Sequence, residues 1–149
     1  MKKSFLYIAI LLFAMVSCHT NSGVTKFGQE IPFSKAEGYF FRNNLTVPER
    51  PLIIESKEDL ERSFGYATTM SSRPTTIDFS NQAALAIVLP ETDRPTDIVV
   101  KNIVKQHKDT LVVNCSVTRG ESASYTMLPM TMVVIPKADV ARVVVSREE

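Results

Sequence analysis

Ala83-Ala84-Leu85-Ala86-Ile87-Val88-Leu89 is an unbroken apolar run of strand length, ended by Pro90. It predicts a buried strand, and the chain on either side predicts what covers it. Downstream, Glu91-Thr92-Asp93-Arg94-Pro95-Thr96-Asp97 suits an exposed turn, and two β-rich segments, 98–104 and 111–117, flank Lys105-Gln106-His107-Lys108-Asp109-Thr110 as a hairpin. In the second arm Leu111, Val113, Cys115 and Val117 alternate with polar residues, so one face is apolar and Cys115 should point inward. Segments 130–135 and 140–145 make two more strands around Pro136-Lys137-Ala138-Asp139. Upstream, Glu37-Gly38-Tyr39-Phe40-Phe41-Arg42 closes on Asn43-Asn44 as a strand and turn, and Leu52-Ile53-Ile54 follows a loop bracketed by Pro48 and Pro51. Ser56 is placed to cap a short helix, about 57–65, with Leu60, Phe64 and Ala67 on one face and Gly65 at its end. The expectation is a mainly β (α+β) fold: an antiparallel sheet or sandwich-like meander of about seven strands with one short helix. Antiparallel pairing follows because the connections are too short for helical crossovers.

With 149 residues, 44% hydrophobic and 22% charged, and a mean hydropathy of +0.02, the chain falls in the ordinary globular range. Neither an internal repeat nor a low-complexity run interrupts 31–149, so that span reads as a single domain. The formal charge is +1, falling to −1 without Lys2 and Lys3, which disfavours a nucleic-acid partner. Two cysteines, two histidines and five scattered glycines offer no zinc spacing, disulfide framework or phosphate cradle, so neither metal nor cofactor is expected.

Residues 1–17 read as an address rather than as structure. Lys2 and Lys3 precede an apolar run from Phe5 to Val16, about 18 Å as a helix and too short for a permanent span. The run ends in Met15-Val16-Ser17-Cys18, which resembles the bacterial lipobox, with Met15 standing where Leu is usual. That resemblance implies lipidation at Cys18, a membrane anchor of acyl chains such as palmitate. Residues 18–30 then read as the lipidated cysteine and a flexible tether. His19 stands where inner-membrane retention uses Asp, so the outer membrane is the expected destination.

Catalytic material is sparse. His107 lies among charges at a hairpin tip, Cys115 lacks the electropositive setting that activates a thiol, and Glu58, Asp59 and Glu61 are spread around a short helix. The expected class is therefore not an enzyme. Asp109-Thr110-Leu111 resembles an O-glycosylation triplet, which would modify Thr110. The segment from Gly120 to Met132 begins small and polar and then gathers three methionines; core filling is the first reading of it, and the alternative makes Tyr125, Met127 and Pro129 candidate partner-binding residues.

Several stretches together resemble the C-terminal domain of PrcB-type protein components of protease complexes: Ile53-Ile54-Glu55-Ser56-Lys57-Glu58-Asp59-Leu60, Ile77-Asp78-Phe79-Ser80-Asn81-Gln82, the buried strand, the pair 98–104 and 110–117, and Tyr125-Thr126-Met127-Leu128-Pro129 leading to Val133-Val134-Ile135-Pro136-Lys137. Asp78-Phe79 and the closing Ile135-Pro136-Lys137 are the more telling matches. Glu91 to Pro95 replaces a Gly-Gly-Tyr-like turn of the family. The resemblance implies a small β-rich envelope domain that is not a protease and that associates with an extracellular protease assembly. A lipid-anchored protein-interaction module is the leading expectation; its rival is a small-molecule or glycan-binding lipoprotein of a nutrient-uptake system.

Overall fold

A computed structural model describes residues 28–67, 73–106, 109–137 and 142–148. Residues 1–17, expected to be a signal segment, and Cys18, His19 and His107 lie outside the described residues. In chain order the elements are β1 (Gln29–Glu30), β2 (Ser34–Lys35), β3 (Tyr39–Phe41), β4 (Leu52–Ile54), α1 (Lys57–Ser63), β5 (Phe64–Tyr66), β6 (Gln82–Val88), β7 (Thr96–Gln106), β8 (Thr110–Arg119), β9 (Met130–Pro136) and β10 (Arg142–Glu148). The described residues are mainly β with one short helix, and their strands form two four-stranded sheets, β1-β7-β8-β10 and β2-β9-β6-β4, plus the pair β3-β5.

The apolar run 83–89 lies at the centre. Ala83, Leu85, Ile87 and Leu89 pack into a core shared with Ile98, Ile103, Leu111, Val113, Cys115 and Val117 of the facing sheet, which makes the sandwich. Ala84, Ala86 and Val88 turn the other way, into a second core with Phe41, Ile54, Leu60 and Phe64 beneath α1 and β3-β5. Both faces of β6 are thus buried, which is why its sequence does not alternate. β9 is its two-sided neighbour, with Ala84 opposite Val134 and Ala86 opposite Met132, so small and large side chains share each layer.

Four features differ from the sequence expectation. β10 pairs in parallel with β8, from Arg142 beside Thr110 to Glu148 beside Ser116, while every other ladder among the described residues is antiparallel. The crossover that parallel pairing needs is supplied by a strand, β9, in the opposite sheet, so the fold is no simple meander. Secondly, the helix stops at Ser63: Ser56 caps it as expected, accepting from the Asp59 N–H, but the buried Phe64 already has extended dihedrals (φ −125, ψ 149). Gly65 therefore lies within β5 opposite Phe40, and Ala67 is exposed beyond it. Thirdly, the expected tether of 18–30 yields Gln29 and Glu30 to β1, which pairs with Lys105 and Val104. Gly28, at φ +109, makes the entry into that strand, where a Cβ would stand 2.5 Å from Val104 Cγ1. Lastly, β1, β2 and β5 raise the described strands to ten.

Candidate functional site

Two of the segments that carried the family resemblance meet at the start of β6. Asp78 builds a turn in which its carboxylate accepts from the Ser80 N–H (3.0 Å) and the Asn81 side-chain amide (2.8 Å), and its carbonyl accepts from the Gln82 N–H (2.7 Å). Those bonds, led by Asn81 and then Ser80, hold the Asp78 carboxyl below its ordinary value. The Lys137 N–H donates to the Asn81 carbonyl (2.8 Å), and its Nζ donates to the Phe79 carbonyl (3.0 Å). Asp78-Phe79 and Ile135-Pro136-Lys137, 58 positions apart at the Lys137–Phe79 bond, thus form one clasp. It fixes the register in which β6 enters the sheet beside β9.

At the opposite end of β6 the segment 89–96 is stitched to the loop 120–129. The Leu89 N–H donates to the Pro129 carbonyl (2.8 Å), Thr92 and Met127 exchange both backbone bonds (2.9 and 2.8 Å), and the Ala123 and Gly120 N–H groups donate to Asp93 and Pro95 (2.7 Å each). Two side-chain bonds repeat the pattern: the Ser122 hydroxyl donates to the Asp93 carboxylate, and the Thr126 hydroxyl to the Glu91 carboxylate. This loop pair is consequently a held platform. The three candidate residues divide on it. Tyr125 is 57% exposed, Met127 is half-buried, and Pro129 is fully buried and belongs to the core. Leu128 and Met130 likewise pack on the second core.

Beside the platform, a cleft of about 360 Å³ is lined by Leu45, Val47, Glu91, Thr126, Met127 and Leu128. Sequence alone puts Asn43-Asn44 and Glu91 in separate turns and does not join them to Met127. The contacts that do so span 35 positions or more in the chain, and no local pattern marks them. No family model, curated protein or solved structure matches this chain. The platform is therefore weighed on its own chemistry: an exposed phenol, a thioether and leucine shoulder, and a carboxylate held by Thr126. Those groups suit contact with another protein surface.

A second cleft, about 460 Å³, lies between α1, β3-β5 and the segment 73–79, with Tyr39, Leu60, Tyr66, Ile77 and Phe79 as walls and Lys57 and Arg73 at its polar side. The Tyr39 and Tyr66 rings stand 5.7 Å apart, and the Tyr39 hydroxyl donates to the Thr75 carbonyl. Burial, and then the neighbouring Tyr66, push the Tyr39 phenol up.

The remaining sites lie elsewhere. Thr110 is half-buried where β8 begins. Cys115 is buried at 1% exposure, as alternation along β8 requires, and burial pushes its thiol up despite Arg147 nearby. Glu58, Asp59 and Glu61 remain on α1, where Asp59 binds Arg62 (2.8 Å) and Glu61 faces Lys57 (3.6 Å), both exposed pairs. Among the described residues no three His, Cys, Asp or Glu side chains gather as metal ligands, and no helix is long and apolar enough to cross a membrane.

Proposed function

We propose that this chain is a non-catalytic, lipid-anchored protein-interaction module of the cell envelope, held at the outer membrane through Cys18. The resemblance to the PrcB-type domain makes an extracellular protease assembly its partner, with this chain in an accessory or stabilising role. One observation carries the interaction reading: the loop 120–129 is held to 89–96 by backbone bonds on both sides, yet presents Tyr125 at 57% exposure. A rigid support under an exposed aromatic lowers the ordering cost of an interface anchor.

Tyr125→Ala tests it. Truncation of such an anchor is expected to weaken partner capture from envelope extracts by roughly thirtyfold, about 2 kcal/mol, with the melting temperature nearly unchanged. A variant that melts lower but binds normally would return Tyr125 to a structural role. The small-molecule or glycan reading draws its support from the aromatic cleft with Lys57 and Arg73. It expects the opposite sensitivity, with Tyr66→Ala abolishing ligand-induced stabilisation and Tyr125→Ala leaving it intact.

A further inference from the structure

Among the described residues the two main sheets end in β1, β10, β2 and β4. Three of these ends resist the addition of another strand. β1 and β2 are two residues long, and β4 is three residues long, preceded directly by Pro51. Where β7 extends beyond β1, a bulge between Val100 and Asn102 interrupts it and Lys101 is exposed. Short strands, proline, bulges and outward lysine are the usual protections of a sheet edge.

β10 is neither short, bulged, interrupted by proline nor lysine-bearing; its charged residues are Arg142, Arg147 and Glu148. It runs seven residues, Arg142-Val143-Val144-Val145-Ser146-Arg147-Glu148, in unbroken register with β8. The Arg142 N–H donates to the Asp109 carbonyl (3.1 Å). In a parallel ladder this turns the backbone groups of Arg142, Val144, Ser146 and Glu148 toward β8, and those of Val143, Val145 and Arg147 toward the open side. Glu49, Arg50 and Pro51 line, together with β10, a cleft of about 390 Å³ beside that edge.

We propose that this edge takes the β10 of a second copy of the chain, antiparallel about a two-fold axis at Val145, fusing two four-stranded sheets into one. The sequence of the edge is self-complementary in that register. Val145 faces its own copy and Val143 faces the second copy's Arg147, so all three outward backbone pairs are satisfied by about six hydrogen bonds. The intervening positions place Arg142 opposite the second copy's Glu148 at both ends, and Val144 opposite Ser146. Val144, 45% exposed in one copy, gains the second copy's Val144 as its diagonal neighbour. Moving the axis to Val143 or Arg147 leaves only three residues of β10 paired and separates the opposite charges. This inference stands independently of the platform around Tyr125.

Sedimentation equilibrium of the full chain in mild detergent is the test. A monomer–dimer equilibrium is expected, weakened about tenfold or more by Arg142→Glu or Glu148→Arg alone, since each sets like charges face to face. Combining the two substitutions restores opposite charges and is expected to recover the dimer to within about threefold of the parent. Val145→Pro removes an outward N–H that β8 does not use and is expected to abolish the dimer, with the melting curve reporting that the domain is folded. A chain that stays monomeric to about 100 µM overturns the proposal, including one that accepts a strand only from a different protein. A dimer indifferent to Arg142→Glu and Val145→Pro, or a double charge reversal no tighter than the single ones, overturns it equally.

Discussion

Two glycines show how differently one missing methyl group can matter. Gly38 has φ +82, and a Cβ there would stand 2.7 Å from Pro74 Cα, a backbone atom that cannot swing aside. Around it Glu37 and Thr75 exchange backbone and side-chain bonds of 2.9 Å, and the Ala67 N–H donates to the Gly38 carbonyl (2.9 Å), so the site resists relaxation. Gly65 has no positive φ, and the nearest atoms to its added Cβ would be those of the Phe40 ring, whose Cζ lies 2.3 Å away at the far end of a rotatable side chain. Gly38→Ala is therefore expected to cost about 2 kcal/mol, and Gly65→Ala less, as read by urea denaturation of the two variants side by side. An equal or larger loss at Gly65 would mean that Phe40 cannot turn away. The Phe40 ring covers the gap that the glycine leaves in its strand, a cross-strand contact that sequence spacing alone does not reveal.

The clasp at the head of β6 connects an element to its acid sensitivity. Asp78 has a folded-state pKa below the ordinary 3.8, so its ionised form stabilises the turn above that value and the contribution is lost as pH falls through the lower folded value. Asp78→Asn removes the titrating group. The stability gap between parent and variant is expected to be constant near neutrality and to narrow below about pH 4, measured by denaturant unfolding across pH. A gap that does not narrow would assign the turn to the backbone bonds alone. At this scale much of the fold was legible. β6 announced itself by an uninterrupted apolar run, β8 by strict alternation down to Cys115, and α1 by Ser56 and Asp59. β1, β2 and β5 were not legible because two or three residues carry no period; they are strands only through their partners. Of the candidate site, the sequence marked Tyr125 as a candidate but favoured core filling for its segment, and its 57% exposure came from the structure. Which of the three candidates is buried, and the shoulder of Leu45 and Glu91, were not legible, since both depend on pairing between loops distant in sequence.

At the scale of the whole molecule, three layers leave the clefts and the loop platform on the outside of a domain whose central strand is buried from Ala83 to Val88. The proposed function adds an anchor at Cys18, ahead of β1. If Cys18 bears the lipid, Cys18→Ser is expected to shift the protein from the membrane fraction to the soluble one and to abolish incorporation of a radiolabelled fatty acid. Cys115, buried among Leu111, Val113 and Val117, offers no second acylation site in the folded domain. Label retained by Cys18→Ser would end the lipid-anchor reading.

The route of β10 into its sheet also sets an order of assembly. β1 and β10 bound the same sheet, and Val143 and Val145 complete the wall of the sandwich core, so that wall stays open until 142–148 can reach β8. Arg142 docks beside Thr110 only after the intervening chain has gone out to the other sheet and returned. This pairing cannot form as a local hairpin, because the chain between the two strands passes through β9 of the opposite sheet. Until 142–148 docks, β8 rather than β10 is the edge of its sheet, and a strand with a full apolar face on one side is left without its lateral neighbour.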